Sequence, residues 1–142
     1  MNKKQKSLNN KGFSLVELII VIAIMAVLIG VLAPQYIKYV EKSRESADVD
    51  NAQAVITALQ VYATDTSNPT LVGGTIQFTK TGSTVTGTST NITAALATAS
   101  VDITKIKFTS SKYTDATMTV TVTDGVPAFT TDNADLTAAL GL

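Results

Sequence analysis

The sequence predicts an α+β chain in which one long N-terminal helix packs on a small antiparallel β-sheet. Two observations predict the helix: residues 13–33 are apolar apart from Ser14 and Glu17, and an apolar stripe with helical spacing continues to residue 63. One observation predicts the sheet: all 23 Thr lie at or after Thr57, and the β-branched residues beyond the helix alternate with apolar ones.

These patterns divide the chain into four segments. We expect a short basic leader segment, an apolar helix that spans a membrane, an amphipathic continuation of that helix, and a Thr-rich β-sheet region. Their bounds are 1–12, 13–34, 35–64 and 65–142.

The apolar segment is long enough to cross a bilayer, because 21 residues from Phe13 to Ala33 make a helix of roughly 31 Å. Glu17 is the anomaly in this segment. An ionisable group in hydrocarbon costs on the order of a few kcal/mol, so it usually has a partner or a function. Glu17 is therefore the most informative residue of the sequence.

The stretch Lys11-Gly12-Phe13-Ser14-Leu15-Val16-Glu17-Leu18 resembles the leader junction of type IV pilins and of their pseudopilin relatives. The resemblance covers residues 1 to about 63, and Pro34 matches a proline that many pilins carry at the end of the apolar run. It implies cleavage between Gly12 and Phe13 by a prepilin peptidase, methylation of the new Phe13 amine, and a role for Glu17 in assembly. Loss of the C-terminal disulfide of many pilins follows from the absence of Cys.

The four Lys of the leader hold the N-terminus in the cytoplasm by the positive-inside rule, so the polar remainder lies outside. One alternative is an ordinary signal peptide, cut after Val31-Leu32-Ala33, but Pro34 would then follow the cut. A second alternative is an uncut signal anchor, against which Glu17 argues.

The helix beyond Ala33 has one apolar stripe suited to covering a sheet, made of Ala52, Val55, Ile56, Leu59, Tyr62 and Ala63. Between Glu41 and Asn51 the residues are mostly polar or charged, which is typical of a solvated face or of a face that meets a neighbouring subunit. Gly30 and Pro34 predict a helix break, because proline leaves the Gly30 carbonyl without its helical donor.

After Asp65 we expect short strands separated by breakers. The predicted strands are 75–81, with Ile76 and Phe78 on one face, 104–109, with Ile106 and Phe108 inward, 117–123 and 126–130. The segment 82–90 fits either a strand or a loop. Asp124-Gly125 predicts a tight hairpin, and Pro127 confines the returning strand to an edge.

Two short helices complete the prediction. Asn91 is the expected N-cap of a helix over 91–97, and it also begins a glycosylation sequon, although a cap explains it without modification. Asp132 or Asn133 is the expected cap of a last helix. Asp132, Asn133 and Asp135 are also weak candidates for a calcium site, because oxygen ligands suit that ion.

Composition excludes several classes of function. With no Cys and no His there is no thiolate nucleophile, no imidazole base and no imidazole metal ligand. Residues 13–142 carry 7 Lys or Arg against 11 Asp or Glu, a formal charge of −4, which does not favour binding to nucleic acid. No nucleophile beside a base and no phosphate loop is present, so we expect neither an enzyme nor a cofactor.

The resemblance then implies a structural function. The chain would be a pilin precursor, held in the cytoplasmic membrane by one span, cleaved after Gly12, and polymerised through its apolar helix into an extracellular helical filament of identical subunits. The implied partners are the prepilin peptidase, an inner-membrane assembly platform and its ATPase. The alternative is a pseudopilin of a type II secretion or competence system, and the long Thr-rich coat region favours the pilin.

Overall fold

The computed structural model describes residues 12–86 and 90–142. Within these ranges the chain has three α-helices, one short 3₁₀ helix and four β-strands. Their bounds in chain order are α1 Leu15–Thr64, β1 Gly74–Gln77, β2 Thr84–Thr86, α2 Thr90–Thr98, the 3₁₀ helix Ile103–Lys105, β3 Thr117–Thr123, β4 Val126–Thr131 and α3 Ala134–Leu140.

The long helix α1 belongs to two compact units, one that ends at Lys38 and one that comprises Tyr39–Leu142. In the second unit, α1 buries the residues that its apolar stripe predicts: Ala52, Val55, Ile56, Leu59 and Tyr62 are each at most 6% exposed, and Ala63 is partly buried. The amphipathic pattern is therefore confirmed. Two further helix residues, Ala58 and Asp48, are also buried.

The sheet is antiparallel throughout, with the order β2-β1-β3-β4. β3 and β4 form the predicted hairpin, and the turn residues Asp124 and Gly125 both have positive φ, 51° and 80°, as a type I′ turn requires. β4 is an edge strand, as Pro127 predicted. The open segment 82–90 contains the strand β2, while residues 87–89 lie outside the described ranges.

The predicted strand over 104–109 is wrong. The 3₁₀ helix occupies Ile103–Lys105, because the Asp102 side chain accepts a hydrogen bond from the Thr104 amide, 3.1 Å, and caps this turn. The following residues are irregular, although the Phe108 N–H donates to the Thr79 carbonyl. The predicted faces are correct nevertheless, since Phe108 is buried and Ile106 partly buried.

Two helix and strand limits also differ from the prediction. β1 ends at Gln77, four residues before the expected end at Thr81. α2 begins at Thr90, so Asn91 lies inside the helix and is not its N-cap; its side-chain amide donates to the Thr70 carbonyl, 2.8 Å, and so joins the helix to the preceding loop. A hydrogen bond across 21 residues cannot be read from a local pattern.

The core of the second unit lies between α1 and one sheet face, with α2 and α3 contributing at its edges. Phe78 and Phe108 stack at its centre with ring centroids 4.2 Å apart. The other large side chains that are fully buried include Leu59, Ile76, Ile92, Leu96, Met118, Val120 and Leu136. The alternation predicted for β3 is confirmed: Met118 and Val120 are buried, whereas Thr121 is exposed.

Candidate leader junction and assembly segment

The start of α1 is a capping box formed by Ser14 and Glu17. The Glu17 N–H donates to Ser14 Oγ, 3.2 Å, and the Ser14 N–H donates to Glu17 Oε2, 3.1 Å. This reciprocal pair satisfies two backbone donors at the helix N-terminus, where the first turn has no intrahelical acceptors. Glu17 therefore has a local partner in its own chain.

Gly12, Phe13 and Ser14 precede the helix and have no regular secondary structure. All three are exposed, and the Phe13 side chain is 90% exposed. A Cβ added at Gly12 would meet no atom of residues 12–86 or 90–142 within 4 Å. Within the described residues, therefore, the packing of the chain does not require glycine at position 12, and any such requirement has to come from a partner.

The helix beyond the capping box exposes its apolar side chains on every face. From Leu15 to Ala33 each residue is exposed, and α1 contains an 18-residue window with a mean hydropathy of 3.1. By length and composition this helix is able to cross a membrane. Phe13, Leu18 and Val21 surround Glu17 and form an open apolar surface beside it.

The helix break expected at Gly30 and Pro34 is not present, because α1 continues through both residues. Proline removes one backbone hydrogen bond and costs about 3 kcal/mol, but in a helix of 50 residues the turns on either side keep their own bonds. A bend at Pro34 and local melting near Gly30 remain predictions.

The charged run of α1 contains a contact that the sequence did not reveal. Asp48 is fully buried, and its two carboxylate oxygens accept hydrogen bonds from the consecutive N–H groups of Thr109, 2.9 Å, and Ser110, 2.8 Å. Two turns earlier, Glu41 Oε1 accepts from the N–H of Ser111, 2.5 Å, and from its hydroxyl, 2.7 Å. We call Asp48 and Glu41 the carboxylate clamp, because together they hold the loop 109–111 against α1.

The hydrogen bonds of the clamp lower the pKa of Glu41. The Ser111 hydroxyl, and after it the Ser111 N–H, lowers the pKa of the Glu41 carboxyl from its ordinary value of 4.5, with Arg44 as a smaller cause. Arg44 lies 3.7 Å from Glu41 and forms an i,i+3 ion pair with it. Part of the charged run thus faces the loop, whereas Lys42, Arg44 and Asp50 remain exposed.

The three candidate calcium ligands each have another partner. Asp132 Oδ1 accepts from the Thr117 N–H, 2.7 Å, and Asn133 is the N-cap of α3 through the Leu136 N–H, 3.0 Å. Asp135 pairs with Lys112 at 3.8 Å. In the part of the chain that the structure describes, no group of three acidic, His or Cys side chains is placed to hold a metal ion.

Three of the predicted functional residues, Gly12, Phe13 and Glu17, lie together at the start of α1, within six residues and exposed. The other predicted residues lie elsewhere: Gly30 and Pro34 are inside α1, and Asp132, Asn133 and Asp135 lie at or near the start of α3. The capping box was readable from Ser14-Leu15-Val16-Glu17, which has the S-x-x-E spacing. The clamp was not readable, since its partners are 61 to 70 residues apart in the chain.

Comparison with known proteins finds similarity in the N-terminal segment of the chain. Residues 7–33 match the family described as the prokaryotic N-terminal methylation motif. The chain is also 38% identical over 53 residues to the type IV major pilin protein PilA of Myxococcus xanthus, strain DK1622. That match covers 37% of this chain and 24% of the relative. No solved structure matches the chain significantly.

Proposed function

We infer that the chain belongs to the type IV pilin superfamily through its N-terminal segment, and from this premise we propose that it is a structural subunit of a type IV pilus. The proposed role is structural and not enzymatic. In this proposal the precursor is cleaved after Gly12, the amine of Phe13 is methylated, and the subunit enters a helical filament of identical copies.

The observation that carries the proposal is that the N-terminal part of α1 is apolar and wholly exposed, and that its first turn contains one carboxylate, Glu17, which forms part of the capping box. The side chains from Leu15 to Leu32 are apolar except for Glu17, and each exposes about half or more of its surface where it is large. Such a surface is not stable in water, since apolar area costs about 25 cal/mol per Å² exposed. A bilayer covers it in the precursor, and equivalent helices cover it in the filament core.

The carboxylate of Glu17 is available for a second partner. Only Oε2 takes part in the capping box, and within the described residues no hydrogen bond reaches Oε1. The apolar surface beside it is open and includes Phe13. We propose that Oε1 accepts a hydrogen bond from the cationic amine of a processed Phe13 in a neighbouring subunit. Because this ion pair forms at only one axial offset between the two subunits, it fixes that offset in the filament.

The proposed function places the chain first in a membrane and then in an extracellular filament. The precursor is a single-pass protein of the cytoplasmic membrane with its N-terminus inside, and the filament is extracellular. Its partners are the prepilin peptidase, which reads the junction at Gly12, and an inner-membrane assembly platform with its ATPase. The Tyr39–Leu142 unit becomes the coat of the filament.

Mass spectrometry of the mature protein tests the processing step. We expect an N-terminus at a methylated Phe13, and we expect Gly12→Val to leave an intact precursor, because a side chain obstructs the approach of the peptidase to the scissile bond. Since no atom of the described residues lies within 4 Å of a Cβ at Gly12, this variant should fold normally. An intact Met1, or an N-terminus near Pro34, would contradict the assignment.

Three variants at the capping box separate charge pairing from helix capping. Glu17→Gln keeps an oxygen that accepts from the Ser14 N–H but removes the charge, whereas Ser14→Ala removes one hydrogen bond of the box and keeps the charge. We expect Glu17→Val and Glu17→Gln to insert into membranes yet yield far fewer filaments by electron microscopy. Ser14→Ala should assemble close to the wild type. Normal filament yield from Glu17→Gln would exclude the pairing.

The same micrographs test the pseudopilin alternative. Secretion and competence pseudopilins share the leader junction and the apolar helix, so these features do not separate the two. Long surface filaments labelled by an antibody against this chain are expected of a pilus subunit. Their absence at native expression, together with normal cleavage, would favour the pseudopilin.

A further inference from the structure

We propose that Tyr36 and Lys38 anchor α1 in the headgroup layer of the outer leaflet, and that this anchor sets a membrane register in which the Ser14–Glu17 capping box lies in the inner headgroup layer. The inference rests on the proposed storage of the chain in a membrane. It adds the surface that contacts lipid headgroups and the depth of each end of the helix.

The N-terminal end of α1 carries the backbone N–H groups of the first helical turn. The capping box satisfies the N–H groups of Ser14 and Glu17, and the Leu18 N–H donates to the Ser14 carbonyl. In the described part of the chain, no hydrogen bond satisfies the N–H groups of Leu15 and Val16, which lie in the first turn. An unsatisfied backbone donor in hydrocarbon costs several kcal/mol, so this end requires water or lipid headgroups.

The apolar run of α1 is followed by exposed residues that suit a membrane interface. Tyr36 is 68% exposed and Ile37 is 66% exposed, and Lys38 is exposed as well. Tyrosine is enriched at membrane interfaces, because its ring enters the acyl boundary while its hydroxyl reaches headgroups. The Lys38 stem can lie along the same boundary and place its ammonium beside lipid phosphates.

The distance between Glu17 and Tyr36 along α1 is close to the thickness of a hydrocarbon core. Tyr36 follows Glu17 by 19 residues, which is about 28 Å along a helix, and a typical hydrocarbon core is about 30 Å thick. A register that spans from Phe13 to Ala33 has a similar length. In that register, however, Glu17 and the two unsatisfied N–H groups would lie inside the hydrocarbon. Glu17 follows Phe13 by four residues, so its depth below the headgroup layer would be about 6 Å. The polar groups at both ends therefore favour the span from Glu17 to Tyr36.

The structure thus assigns one occupant to the exposed face at Tyr36 and Lys38, namely the zwitterionic and anionic phospholipids of the outer leaflet. A phenol that donates to ester or phosphate oxygens and an ammonium that pairs with phosphate suit this layer. A second copy of the chain is the competing occupant, and it is an outcome of the test below.

The experiment uses the absence of tryptophan, because a single Trp is then the only indole in the full-length chain. The variants Tyr36→Trp and Ala26→Trp are reconstituted in vesicles of phosphatidylethanolamine and phosphatidylglycerol. Lipids that carry a nitroxide near the headgroup or deep in the acyl chain then report the depth of each indole. Position 26 lies close to midway between Glu17 and Tyr36, so the two indoles should differ in depth by up to about 15 Å.

We expect the shallow nitroxide to quench Tyr36→Trp more strongly, and the deep nitroxide to quench Ala26→Trp more strongly. In a triple variant that combines Ala26→Trp with Tyr36→Ala and Lys38→Ala, the anchor is absent. The indole at position 26 should then lie farther from the bilayer midplane than it does in Ala26→Trp alone. The matched control is Val61→Ala, which also changes an exposed side chain of α1, at 61% exposure, but far along the helix from this face. It should leave the depth unchanged.

The other outcomes overturn the inference in distinguishable ways. Deep quenching of Tyr36→Trp, or no quenching of it while Ala26→Trp is deep, would refute the anchor but leave membrane storage intact. Quenching of neither indole would refute membrane storage and the anchor with it. Shallow quenching of Tyr36→Trp that is weak at high chain density and becomes strong when vesicles are diluted to one chain each would assign the face to a second copy.

Discussion

The buried carboxylate of Asp48 allows the sharpest prediction about the coat unit. Its side chain is fully buried and accepts two backbone hydrogen bonds, from Thr109 and Ser110. Asp48→Ala removes both acceptors and leaves the Ser110 N–H buried without a partner, while the Thr109 N–H is closer to solvent. We expect the free energy of unfolding to fall by about 2–4 kcal/mol, since a buried donor without a partner costs about 1–3 kcal/mol.

Thermal unfolding of the unit Tyr39–Leu142, expressed alone, measures this effect. At about 4–6 °C per kcal/mol for a unit of this size, the midpoint should fall by roughly 10–20 °C. Asp50→Ala is the matched control, because Asp50 lies two residues away on an exposed face and should change stability by no more than about 0.5 kcal/mol.

Asp48→Asn provides a second comparison. The amide keeps one oxygen acceptor but places an NH₂ group opposite the other backbone donor, so it should restore only part of the lost stability. The reasoning would be refuted if Asp48→Ala melts within a few degrees of the wild type. It would also be refuted if Asp50→Ala proves the more damaging of the two substitutions.

Three further predictions concern the coat. Val120→Asp buries an unpaired charge and should unfold the unit, whereas Thr121→Asp on the exposed face should melt near the wild type; the reverse order would mean that the strand faces are misassigned. Gly73→Ala should destabilise the sheet, because its Cβ would lie 2.6 Å from the Val120 carbonyl oxygen, and an unchanged midpoint would show that the backbone yields freely. Hydrogen bonding to Ser111 lowers the pKa of Glu41, so the stability that this carboxylate contributes is present above pH 4.5 and is lost as the pH falls through the lowered value. The difference in unfolding free energy between wild type and Glu41→Gln should therefore become smaller in acid. A difference that grows below pH 4.5 would contradict this prediction.

The features that the sequence predicted well are those that depend on short-range patterns. The stripe of Ala52 to Tyr62, the alternation of β3 and the turn at Asp124-Gly125 each follow from a period or from the φ values that a residue accepts. They were found because a neighbour within a few positions determines them.

The features that the sequence did not predict depend on distant partners. Asp48 lies among other charged residues, and only the folded loop 109–111 distinguishes it from Asp50. Asn91 was expected to cap α2, but its amide reaches Thr70 in a loop 21 residues earlier. In the segment 104–109, the Asp102 cap outweighed the strand propensity of Ile106 and Phe108.

The edge strand β4 has a consequence for a protein that is proposed to polymerise. In a two-residue hairpin the pair Thr123–Val126 that closes the turn is hydrogen-bonded, so the next pair, Val122–Pro127, is not. The N–H that Pro127 lacks is therefore the one that would have pointed away from β3. A strand from another copy would find a gap in the donor row at that position, which disfavours a continuous intermolecular sheet. Coat units crowded at high local concentration on one filament would thus be protected from fusing into amyloid-like aggregates through this edge.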